Sequence, residues 1–334
     1  MQWALIQIGT DLGIFTTLCD NPGPTGLQHF LDTSKASPTL LTHLLRSIAA
    51  FGFIVETAKD TFAANRITKA LAHPDVAGTF PHVTHLHALV AQSLPQYLRE
   101  HEYQNMTNIR DLPFHMALST DLPPFEWMKQ HPEQMKALGH AMRIERMHSW
   151  VESYPISDRI GDFKATDESA LLVDIGGGFG QQAVAFRSQV LHVPGRVVVQ
   201  DVGSTLAHAP RLDGIEFKEH DFFTPQPIRN AKFYYLRHIL HDWTDEDCVR
   251  ILQNIVPALS SNSRIIIDEV VLPDTNLPWQ CAFMNLTMMS SLGGRERSEE
   301  EWIALLSRAG LQMDELHVYD DVRRHSVIVA VPKE

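Results

Sequence analysis

Cysteine is scarce in this sequence. Cys19, Cys248 and Cys281 are the three among 334 residues, far apart and without a Cys-x-x-Cys pair, so neither a disulfide framework nor a zinc knuckle is expected and a reducing, cytoplasmic compartment is the default. Long apolar runs are missing as well. None approaches the ~20 residues that span a bilayer, and the N-terminus has no basic start of a signal peptide and carries Asp11 inside its apolar stretch. Positive charge is in deficit, with 28 Lys and Arg against 40 Asp and Glu, a formal net charge of −12. Sequence-independent affinity for nucleic acid comes from clustered Lys and Arg, so that partner is not expected and a small neutral molecule suits the chain better.

What is present is a glycine cluster. Residues 171–180 read Leu-Leu-Val-Asp-Ile-Gly-Gly-Gly-Phe-Gly, an apolar run of buried-strand type that feeds a turn and then a helical stretch. Gly176, Gly178 and Gly180 supply positions without a Cβ, where a ligand can approach the backbone or φ can turn positive. The spacing argues against a dinucleotide, because the sixth place counted from Gly176 is Gln181 and not glycine. Asp174-x-Gly-x-Gly-x-Gly resembles instead the first motif of the class I S-adenosylmethionine (SAM) methyltransferases. The bland alternative is a tight connection with no ligand.

The length favours two domains. In the first, residues 1–160, the opening segment reads as a helix whose Trp3, Leu5, Ile8, Leu12 and Phe15 need cover from another domain or a second subunit. Residues 25–31 are expected to be a short helix, and a second starts at Ser37-Pro38 and runs to Ala50. Residues 53–56 and 61–64 can pair as a hairpin, which completes a winged-helix outline; with one Arg and no Lys over residues 40–53, DNA binding is disfavoured. His82, His85 and His87 lie close together, with two on one helical face at i and i+3, but lack an acidic or Cys partner at ligand spacing, so no metal is expected. Phe125, Trp127, Met128, Met135, Met142 and Met147 are read along one long helix over 124–154, either as an aromatic-substrate pocket or as core; Arg143 and Arg146 there either face water or reach the pocket.

Residues 160–169 are small and polar, a domain boundary. Beyond it, in residues 161–334, strands at 171–175, 196–202, 215–220, 232–239, 264–272, 313–319 and 326–331 alternate with helices, the pattern of an α/β domain built on a seven-stranded, largely parallel sheet. Two helices carry capping-box starts, at Thr244 with Asp247 and at Ser298 with Glu301. Ligands of such sheets lie beyond the carboxyl ends of the strands. Gly176 and Gly178 therefore read as cofactor contacts, together with Asp201 for ribose hydroxyls, Asp221 and Phe222 for an adenine, and Arg237, which faces either the cofactor or a surface carboxylate.

The fourth strand runs into His241-Asp242-Trp243, then Thr-Asp-Glu-Asp-Cys, while Asp268-Glu269 closes the fifth strand and Gly-Gly-Arg-Glu-Arg-Ser occupies 293–298. These motifs resemble the small-molecule O-methyltransferases of plants and fungi, over nearly the whole chain. The resemblance implies a Rossmann-like seven-stranded SAM methyltransferase domain behind an N-terminal helical winged-helix dimerisation domain, a homodimer, and S-adenosyl-L-homocysteine (SAH) as product. It matches His241 to a general base and Glu269 and Glu296 to the two acids that flank it. The chemistry agrees, since a phenol of pKa ~10 is a poor nucleophile at neutral pH and an imidazole can take its proton as the oxygen attacks. Asn285 stands where many relatives carry Asp, in a region of substrate contacts, and Met284, Met288, Met289 and Leu292 read as a pocket wall or as core. The same fold also occurs in fungal SAM-binding pericyclases and dehydratases that transfer no methyl; under that reading Arg143 and the histidines at 82, 85 and 87 matter more than His241.

Overall fold

The computed structural model describes residues 1–144, 149–161, 163–164 and 169–333. Arg146, Met147 and most of the polar boundary lie outside the described residues. Contacts divide the chain into two interleaved units, Met1–Ser93 with Phe114–Glu145, and Leu94–Pro113 with Arg146–Glu334. The expected division at residue 160 falls inside the second unit, because Trp150 stacks on Tyr235 with ring centroids 4.4 Å apart and Ile156 and Ile160 join the same core.

The first unit opens with two helices, Gln2–Asp11 and Ile14–Asp20, separated by Gly13 in the left-handed conformation. Strand β1 (Thr25–Gly26) takes the first two residues of what the sequence suggested was helix, and the helix itself is Leu27–Thr33. Ser37 caps the helix Pro38–Ala50 by accepting from the Leu40 amide, and its Leu41, Leu45 and Ile48 face the core. Strands β2 (Val55–Ala58) and β3 (Thr61–Ala63) form the hairpin, and the sheet order β1-β3-β2 makes a small antiparallel wing.

Two readings in this unit need correction. The helix Pro74–His82 does not continue with 3.6-residue spacing; it passes through a π turn, Val83–His87, before Ala88–Glu100. The wider turn sets the His87 ring against His82 at 4.5 Å, edge to face, so the pairing is i to i+5 rather than i to i+3. Met128, Met135 and Met142 share no long helix either. Pro132 starts a new helix, Pro132–Arg143, after Pro124–Lys129 has ended at Gln130, and Met128 is buried while Met142 is 65% exposed.

In the second unit, strands β4 (Ala170–Ile175), β5 (Arg196–Asp201), β6 (Glu216–Glu219), β7 (Phe233–Arg237), β8 (Arg264–Leu272), β10 (Leu311–Val318) and β11 (His325–Pro332) form one sheet in the order β10-β11-β8-β7-β4-β5-β6, and the two-residue β9 (Arg297–Ser298) pairs with the end of β8. Only β11 runs against its neighbours among these strands. Successive residues alternate between two buried faces. Val173, Ile175, Val198, Tyr234 and Leu236 pack with the helices Asp245–Ile255 and Glu299–Arg308, while Leu172, Val197, Val199, Phe233 and Tyr235 pack with Phe186 and Trp150. Burial on both sides explains why these strands read as unbroken apolar runs. Chain order reverses between β4 and β7, the crevice where such sheets bind ligands.

Candidate active site

The turn after β4 is built from backbone. Gly176, Gly178 and Gly180 all hold positive φ, at 68°, 57° and 82°, which alternating L side chains could adopt only under strain. The amides of Gly176 and Gly177 donate to the Gln200 carbonyl, and the Gly178 amide donates to Asp201 Oδ2 at 2.9 Å. Asp201 thus clasps the loop with one oxygen and the Val202 amide with the other. Around Gly178 a Cβ would meet nothing within 4 Å, so the loop is open there. Phe222 lies near Gly176 and edge-on to Trp243, while Asp221 caps its own turn by accepting from the Phe223 amide. Beneath the loop, Asp174 is buried with one carboxylate oxygen lacking a hydrogen-bond partner among the described residues; burial pushes it up to about 7 against the pull of Arg237.

Arg237 faces a carboxylate that is buried rather than at the surface. Its Nε lies 3.4 Å from Asp268 Oδ2, and Asp268 also accepts from the hydroxyls of Tyr235 and Tyr319, each at 2.6 Å. A carboxylate with no solvent needs that many donors.

The turn after β7 is built from side chains instead. His241 lies in the short 3-10 turn Leu240–Asp242 and is buried. Its Nδ1 donates to Glu296 Oε1 at 2.9 Å, since a carboxylate can only accept, and its Nε2 lies 3.4 Å from Asp242 Oδ1. Glu269 receives the amides of Ile239, Leu240 and His241 on one oxygen and turns the other toward the two imidazoles, 3.7 Å from His241 Nδ1 and 3.6 Å from His238 Nδ1. Burial alone would lower the His241 pKa; the carboxylates of Glu269, Glu296 and Asp242 overrule it and raise the ring to about 10. Glu269 itself is held above the usual carboxylate range, chiefly by burial.

The acid partner at 296 is positioned from both sides. Asn285 Oδ1 accepts from the Glu296 amide at 3.0 Å, which gives that residue a structural task on the helix Trp279–Ser291. Arg297 is wholly buried and reaches back to the histidine turn, donating to the carbonyls of Leu240 and Trp243 and to Asp245 Oδ1 at the start of the helix Asp245–Ile255. Gly294 packs its backbone on that of His241 and Asp242, with no room for a Cβ. Met288 is buried and Met289 partly so on the same helix as Asn285.

The remaining candidate substrate contacts belong to the first unit. Trp127 stacks on His131 at 3.7 Å, Met142 is exposed, and Arg143 neither hangs in water nor stands free: it pairs with Asp75, as does His140. The sequence reading overlooked His238, Asp242, Gly294 and Arg297. Three of these lie inside the motifs at 241–243 and 293–298, beside residues whose chemistry is plainer in the sequence. The Thr244 start also differs in detail. Thr244 accepts from the Asp247 amide, but the Asp247 carboxylate takes the Thr244 hydroxyl and Arg250 rather than the backbone.

A seven-stranded sheet of this order, with a glycine turn at its switch point, defines the Rossmann-like domain of the class I methyltransferases. A family model for the O-methyltransferase domain matches residues 104–312. The chain is 47% identical over 333 residues to the demethylsterigmatocystin 6-O-methyltransferase of Aspergillus parasiticus, covering all of this chain and 86% of that protein. Among solved structures, one described as a pericyclic reaction enzyme and one of LepI in complex with SAM each superpose with a TM-score of 0.95 at 33% identity, over 99% of this chain and 86% of theirs. The chain belongs to the O-methyltransferase family. Among the described residues, no helix is long and apolar enough to cross a membrane.

Proposed function

We propose that this chain transfers a methyl group from SAM to a phenolic or enolic hydroxyl of a small aromatic, polyketide-type metabolite, releasing SAH, with His241 as the general base. The observation that carries the reading is the His241–Glu296 bond at 2.9 Å in a buried turn. That bond commits Nδ1 to donation and leaves Nε2 as the nitrogen that handles the substrate proton. SAM, when bound, supplies a methyl group already activated on a sulfonium, so the protein has to align the acceptor oxygen and remove its proton.

The residues present suit that cofactor. Two acids, Asp174 and Asp201, stand against a glycine loop with an open flank at Gly178, and Asp221 precedes Phe222, which lies near Gly176, an environment for an adenosine that bears a positive charge. Glu296 fixes the imidazole, Glu269 fixes the backbone of its turn, and Asn285 fixes Glu296. A phenol of pKa ~10 then faces a base of matched strength, so proton transfer runs with little net cost. Met288 and Met289 are proposed to line the substrate's path, and the assembly is proposed to be a homodimer.

A second reading draws on the solved relative described as a pericyclic reaction enzyme, namely SAM-dependent rearrangement or dehydration without methyl transfer. SAM carrying a labelled methyl group separates the two. Incubated with demethylsterigmatocystin, the compound in the relative's name, or with related phenols, the protein is expected to yield a labelled methyl ether. A rearranged or dehydrated product that forms only with SAM and carries no label overturns methyl transfer.

A further inference from the structure

We propose that His238, His241 and Glu269 form a site for one divalent transition-metal ion of the zinc type, and that the ion silences the enzyme by occupying the base. The three donor atoms lie within 4.8 Å of one another. Glu269 Oε2 is central, 3.6 Å from His238 Nδ1 and 3.7 Å from His241 Nδ1. Metal–ligand bonds of about 2.0–2.2 Å put neighbouring donors of a tetrahedral site roughly 3.3–3.6 Å apart, so small rotations of the side chains close the geometry.

A second observation concerns the carboxylates at the same place. Glu269 Oε2 and Glu296 Oε2 are both buried and neither has a hydrogen-bond partner among the described residues. Buried carboxylate oxygens without donors are costly, and Glu269 cannot turn away because its other oxygen holds three amides. Two imidazoles and a carboxylate are a donor set that borderline metals favour, whereas magnesium and calcium prefer oxygen throughout. His238 is brought there by backbone geometry: it turns out of β7 with φ at +50°, its amide donating to the Asp268 carbonyl. Its ring then lies 4.9 Å from that of His241.

The chemical consequence follows from proton count. An ion held by Nδ1 sends the proton of that nitrogen to solvent, and an imidazole coordinated there keeps its one remaining hydrogen on Nε2. The ring then donates at Nε2 and can no longer accept a substrate proton. The binding half of this inference stands without the methyl-transfer reading, and the inhibition half rests on it.

The test uses the full chain, stripped with EDTA and titrated with zinc chloride against a chromogenic zinc chelator, in the absence of substrate. One tight equivalent is expected, and His238→Asn is expected to weaken it at least tenfold; asparagine tolerates positive φ, so the turn is retained. Circular dichroism and SAM affinity equal to wild type confirm the fold of the variant. Zinc is further expected to abolish methyl transfer reversibly in the wild type, and the zinc concentration that half-inhibits whatever turnover His238→Asn keeps is expected to rise at least tenfold. No stoichiometric zinc in the wild type, or equal zinc in the variant, overturns the site. Tight His238-dependent zinc with no methyl transfer under any condition would keep the site and remove the proposed function; methyl transfer indifferent to bound zinc removes the inhibition.

Discussion

The two turns at the switch point solve the same problem with different materials. After β4 the chain shapes its site from glycine backbone, one acid from the next strand and an open flank; after β7 it shapes it from buried side chains that come from positions 238–242, 245, 269 and 294–297. The first turn is open at Gly178, where a Cβ would meet nothing within 4 Å. The second, the proposed seat of the chemistry, is built from side chains that project inward and are paired, apart from two carboxylate oxygens among the described residues. A loop that only has to admit a ligand can be local in sequence, whereas a base of tuned proton affinity needs charges from several strands.

The sharpest way to break this contrast is His241→Ala, which should lower kcat by about 10²–10⁴ and leave SAM affinity unchanged by calorimetry. Unchanged turnover would remove the base. Next in size is Gly294→Ala, where the new methyl meets backbone rather than a flexible side chain; overpacking of this kind costs about 1–3 kcal/mol or more, and both the denaturation midpoint and kcat should fall. Gly178→Ala is the counterpart in the other turn. With open space around its Cβ it should lose only the roughly 1–2 kcal/mol of left-handed backbone strain, and a loss as large as that of Gly294→Ala would end the distinction between the turns.

The pH dependence is the subtlest test. A base raised to about 10 is largely protonated at neutral pH, so turnover should climb with pH through the neutral range toward that value, and a flat profile would contradict the ionic cluster. Stability should move the opposite way. The folded-state pKa of His241 lies above its ordinary 6.5, so the stabilisation is fully present below pH 6.5 and is lost as pH rises through about 10. Raising the pH should therefore speed the reaction while loosening the turn that performs it, and His241→Ala should remove both slopes.

Much of the second unit was legible because its signals are short-range. The apolar runs of β4, β5, β7 and β8, the glycine spacing and the Ser298 cap each depend on neighbours within a few residues. The first unit was less so. A π turn leaves the period-3.6 pattern of its flanking helices intact, so the partnership of His82 with His87 is invisible until the backbone is seen. Arg237 and Arg143 were recognised as charges, but which acid answers each one, Asp268 and Asp75, depends on strand register and helix packing.

By itself the sequence determined a glycine loop after a buried strand, seven strands alternating with helices, and a histidine ahead of an acid-rich helix start, because periodicity and backbone preference are written residue by residue. Only the tertiary structure decided that Glu269 would spend one oxygen on three amides, that Arg297 would be buried to brace the histidine turn, and that His238 would come to lie beside His241. Those outcomes belong to side chains separated by up to about sixty positions, and a buried charge takes the partner that folding brings within reach rather than the one that sequence sets beside it.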